Sequence, residues 1–81
     1  MSAGELGRLR WRCRRGMKEL DILLLDYLER HYPQAGLAPQ QAFARILEMQ
    51  DPDIHCLLVG RSATDDTEIS DVIAVIRQSR Y

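Results

Sequence analysis

Residues 17–32 read MKELDILLLDYLERHY. With successive residues turned by about 100°, Met17, Leu20, Leu24, Tyr27, Leu28 and His31 share one side, Leu23 and Leu25 lie at its edges, and Lys18, Asp26 and Glu29 fall opposite. Strand-type alternation explains none of this, so the spacing predicts an amphipathic helix from Met17 to Tyr32, stopped by Pro33. Asp21 breaks the pattern. It falls on the apolar side among Met17, Leu24 and Leu28, where a carboxylate needs a partner or solvent.

The same periodicity extends in both directions. Upstream, Leu6, Leu9 and Cys13 share a face of a short helix around Leu6 to Arg14, with Gly16 placed to end it. Downstream, the region of Gly36 and Pro39 reads as a linker before a third helix bearing Phe43, Ile46 and Leu47. Asp51 followed by Pro52 reads as an N-cap with proline at the first helical position; the helix that follows turns Ile54, Leu57 and Leu58 inward and closes at Gly60. A capping box, Asp65 with Glu68, opens a last helix with Ile69, Val72, Ile73 and Ile76 inward. The expected fold is all-α: a single domain spanning residues 1–81, built as a bundle of about five helices.

Composition bounds what such a domain does. With 46% hydrophobic and 28% charged residues in 81, the chain can bury a core but encloses little space for a substrate pocket, which favours a binding module over an enzyme. Two cysteines are too few for a disulfide framework, the N-terminus has no apolar stretch of the signal type, and the apolar runs, such as Ile22 to Leu25, are far short of the ~20 residues that span a bilayer. A cytoplasmic chain that is not an integral membrane protein is expected. The net charge of -1 conceals an asymmetry, because Arg8, Arg10, Arg12, Arg14, Arg15 and Lys18 cluster without an acid among them, whereas eleven acids face five arginines from Glu19 onward.

Catalytic and ligand sites find little footing. Cys13, His31, His55 and Cys56 have no metal-ligand spacing, and His55 and Cys56 point about 100° apart on a helix. Cys13 among arginines invites a lowered thiol pKa, although a small apolar contact explains it more simply. The pairs Asp51/Asp53 and Asp65/Asp66 lie at helix starts, where acids complement the positive end of the helix dipole. The arginines around Trp11 could meet phosphates and stack bases, but the acidic remainder argues against nucleic acid.

The most informative run is Trp11 to Asp21, WRCRRGMKELD. Gly16 between two helices permits positive φ or close backbone approach, and Arg15 and Glu19 stand four apart, a spacing that suits a pair on one helix face. A simple ion pair at a turn accounts for neither Arg14 nor the inward Asp21, so the run reads as a surface built to engage a partner.

At this run the chain resembles the small succinate dehydrogenase assembly factors that promote covalent attachment of FAD to the flavoprotein subunit. The hallmark is Arg-Gly-x-x-Glu, here Arg15, Gly16 and Glu19 with Met17 and Lys18 between, and Leu47 to Asp53 supplies a second similar segment, L-E-x-x-D-P-D. The resemblance implies an all-α cytoplasmic chaperone, not an enzyme, acting as a monomer on the flavoprotein subunit of succinate dehydrogenase, with fumarate reductase as a second candidate client. FAD would reside on the client, with no cofactor held stably by this chain and no metal. Arg14, Arg15, Gly16, Met17 and Glu19 would form the partner-binding surface, with Asp21, Asp51 and Asp53 added by their place in the matching segments. Members of the family often carry tryptophan where this chain has Leu57, an inward position, so the change reads as altered core packing. The alternative is an interaction module for another partner: an antitoxin component, as relatives have been labelled, or a nucleic-acid binder using the basic N-terminal segment.

Overall fold

The computed structural model describes residues 3–78. Among them lie five α-helices, α1 (Ala3–Arg12), α2 (Lys18–Arg30), α3 (Leu37–Leu47), α4 (Asp51–Val59) and α5 (Thr67–Gln78), with a 3-10 turn at Tyr32–Gln34 and no strand. The all-α expectation holds. No described helix is long and apolar enough to cross a membrane.

The inward residues of α2, Leu20, Leu24, Tyr27 and Leu28, meet Phe43, Ile46 and Leu47 of α3 and Val72, Ile73 and Ile76 of α5 in one buried cluster. Helix α5 is the hub, packing against α2, α3 and α4, while α1 lies on α2. Phe43 is fully buried, with ring centroids 4.7 Å from Tyr27 and 5.7 Å from Tyr32. A Phe43→Ala change there removes about 3–5 kcal/mol of stability. Leu57 is buried beside Ile54 and Leu58, on the inward face its spacing predicts.

Helix ends depart from the sequence reading in instructive ways. Helix α1 stops at Arg12, two residues early, and the Cys13 and Arg14 amides close its last turn on carbonyls of Leu9, Arg10 and Trp11. Gly16 therefore does not cap α1; it sits in the following loop at φ +85°. Helix α2 begins at Lys18 and ends at Arg30, so Met17 flanks it and is exposed, and Tyr32 belongs to the 3-10 turn, where Pro33 removes the amide an α-helix would need. Helix α3 starts at Leu37, directly after Gly36. Pro39 thus lies in the first turn, where its missing N–H forfeits no helical bond.

Two caps also move by one residue. Asp51 is the first residue of α4, flanked by Gln50, and Pro52 is second. Asp66, not Asp65, caps α5: its Oδ1 accepts the N–H groups of Glu68 and Ile69 at 3.0 and 3.1 Å, a reach available only to the residue directly before Thr67. Its other oxygen and the Glu68 carboxylate both accept from Arg45 at 3.0 Å, pinning the start of α5 to α3. Gly60 closes α4 as expected, left-handed at φ +81°, with the Arg61 N–H returning to the Cys56 carbonyl at 2.9 Å.

Candidate functional site

The loop from Cys13 to Met17 joins α1 to α2, and its first residue anchors it. Cys13 is fully buried in the core, and burial pushes its thiol up to about 11 despite the opposing pull of Arg15 and Arg10. The arginines do not activate this thiol, because desolvation of the thiolate outweighs their field, and the simpler reading as an apolar contact holds. Cys13 is a core contact.

Arg15, the next inward residue, is bonded on every side. Its Nε donates to Asp51 Oδ1 at 2.7 Å, one terminal nitrogen donates to the carbonyls of Arg12 at 3.0 Å and Leu47 at 2.8 Å, and the other donates to the Met49 carbonyl. A cation is well placed here, because Arg12 and Leu47 end α1 and α3 and their carbonyls carry the negative end of each helix dipole. Asp51 in turn sits at the positive start of α4. The backbone N–H of Arg15 donates to Asp21 Oδ1 at 2.6 Å in the first turn of α2. The carboxylate that looked misplaced on the apolar side of α2 thus has its partner. Through Arg15 alone, four of the five helices meet.

The structure consequently divides the eight residues singled out by sequence. Arg15, Asp21 and Asp51 converge in a half-buried knot, while Arg14, Gly16, Met17 and Glu19 are exposed around it. Asp53 is exposed in the first turn of α4, with its N–H on the Gln50 carbonyl. Arg15 and Glu19 do not share a helix face, since α2 begins only at Lys18, and the acid that pairs with Arg15 is Asp51, 36 residues away. Apart from its chain neighbours, no atom lies within 4 Å of where a side chain on Gly16 would begin. Glycine is needed there for its positive φ, not for room within this chain.

The partner-binding set drawn from the sequence left out one exposed side chain. Trp11, in the last turn of α1, is 72% exposed, so a large amphipathic ring stands just before the connection that carries Arg14 and Met17. Its position was legible: on α1 it falls opposite the inward trio of Leu6, Leu9 and Cys13. Exposed tryptophan beside arginine is the composition of binding hot spots.

Known proteins are similar to this chain over most of its length. Residues 7–80 match the family model Sdh5, described as flavinator of succinate dehydrogenase. The chain is 41% identical over 71 residues to the FAD assembly factor SdhE of Methylococcus capsulatus, covering 88% of this chain and 86% of that protein. It is 38% identical over 80 residues to the protein of the same name from Yersinia pestis, covering 99% and 90%, and 36% identical over 69 residues to that of Colwellia psychrerythraea, covering 85% and 76%. These names give no support to an antitoxin role.

Proposed function

Because the chain belongs to the Sdh5 family, the flavinators of succinate dehydrogenase, we propose that it docks through the loop Arg14–Glu19 onto the flavoprotein subunit of that enzyme and promotes covalent attachment of FAD there. The observation that carries this reading is Gly16. It is an exposed glycine held at φ +85° by a braced loop, with open space above it. A partner's backbone can approach such a point closely, with Arg14 and Glu19 at either side to make charge-assisted hydrogen bonds and Met17 to fill an irregular apolar gap. Trp11 extends the same surface. Asp53, exposed at the start of α4, lies at its rim in this reading.

The chain then acts as a chaperone and performs no bond-making step. A factor that binds every client conformation equally shifts nothing, so the docking loop must prefer the arrangement in which the client's own groups meet the flavin. FAD stays with the client, one copy of the chain serves one client in the cytoplasm, and the flavoprotein subunit of fumarate reductase is the second client to try. Nucleic-acid binding is disfavoured by Arg15, whose guanidinium is committed within the chain.

The test is complex formation. Purified flavoprotein subunit without covalent flavin should co-elute with the wild-type chain on size exclusion and fail to retain Gly16→Arg or Glu19→Ala. Separate elution of the wild-type chain under all flavin conditions overturns the proposal.

A further inference from the structure

We infer that Arg15 is a positioning residue, which shapes the docking loop from behind and does not touch the client, and that Asp51 acts on the client only through it. The inference rests on the docking reading above and assigns roles within that surface. Three observations carry it.

First, the Arg15 side chain is 14% exposed. A guanidinium has five N–H donors, and four of them are already given to Asp51 and to the carbonyls of Arg12, Leu47 and Met49. A client carboxylate would find one donor left and would have to displace the rest. Second, the acceptors come from the ends of α1 and α3 and the start of α4, so the bonds fix where the loop sits on the bundle. Third, the Arg15 amide is held by Asp21, which sets the backbone just before Gly16. The charge of Arg15 faces inward, while the exposed chemistry belongs to Arg14, Met17 and Glu19. Lysine cannot replace it, because one ammonium lacks the planar fork that reaches these separated acceptors.

The experiment uses the full chain with Arg15→Lys, Asp51→Asn and the double variant, and with Glu19→Ala and Gly16→Arg for the docking face. Affinity for the purified flavoprotein subunit is measured by calorimetry at a temperature where circular dichroism shows each variant folded. Hydrogen exchange at the amides of residues 15–18 is followed in the free chain. A positioning role predicts that Arg15→Lys and Asp51→Asn each weaken binding on the order of tenfold, that the double variant binds no worse than the weaker single one, and that both singles speed exchange in the loop. Wild-type affinity in Asp51→Asn beside lost affinity in Arg15→Lys overturns it, because Arg15 then touches the client directly. Additive losses in the double variant overturn it too. Unchanged affinity in both Glu19→Ala and Gly16→Arg removes the docking face itself, a failure that the exchange data keep apart from failure of the brace.

Discussion

The backbone N–H of Arg15 donates to Asp21 Oδ1 at 2.6 Å, which ties the loop before α2 to the first turn of that helix. Removing the carboxylate leaves a part-buried amide without its acceptor. Asp21→Ala should therefore destabilise the chain by about 1–3 kcal/mol, and Asp21→Asn, which keeps an acceptor oxygen, by less. Urea unfolding midpoints of the two variants check this. Equal losses would show that the acceptor oxygen is not what matters.

Gly16 separates stability from function. Its positive φ strains any L-residue by roughly 1–2 kcal/mol, while the open space around it imposes no further penalty on a long side chain. Gly16→Ala and Gly16→Arg should thus unfold at similar denaturant concentrations, yet only the arginine should abolish complex formation with the flavoprotein subunit. A much larger stability loss in Gly16→Arg would place the obstruction inside this chain instead.

Cys13 and Cys56 should differ in reactivity. The Cys13 thiol is raised by burial from 9.0 to about 11, so at about pH 8 an aromatic disulfide reagent should titrate half-buried Cys56 first and reach Cys13 only through opening of the fold. A thiol whose folded pKa is raised contributes stability in full below its unfolded pKa and loses it as pH rises. The alkaline loss from this group therefore falls between about 9 and 11. Equal rates for the two thiols contradict the placement of Cys13.

The start of α5 offers a test of cap identity. Asp66→Ala removes the acceptor for two helix amides and a partner of Arg45, whereas Asp65 is exposed and makes no such contact, so only the first change should lower the melting temperature. The Asp66 carboxyl is held below its usual range, first by the Ile69 amide and also by Arg45. A lowered folded pKa gives stability that is complete above the unfolded value of 3.8 and fades as pH falls through the folded one. In Asp66→Ala this acid-side loss should diminish, as melting curves below about pH 4 will show.

The helices were legible because Leu20, Leu24, Tyr27 and Leu28, or Val72, Ile73 and Ile76, repeat at the helical period, and burial of such a stripe outweighs local detail. Caps were less so. Asp65 and Asp66 are chemically alike neighbours, and the Asp65-x-x-Glu68 spacing pointed to the wrong one because Glu68 turns to Arg45. The loop proposed to dock stands out in the sequence by its glycine and flanking charges. The division of labour within it was hidden, since Arg15 closes on Asp51 and on backbone carbonyls 32 and 34 residues away that no side-chain pattern announces. Asp21 did carry a signal, as an acid on an apolar face, but the group it meets is a backbone amide.

The most direct test of the central claim is covalent flavin itself. The chain is co-expressed with the flavoprotein subunit of succinate dehydrogenase in cells lacking their own assembly factor, and flavin fluorescence of the subunit is read on denaturing gels. A bright band with the wild-type chain and a dim one with Gly16→Arg is the predicted result. A band equally bright without the chain contradicts the account.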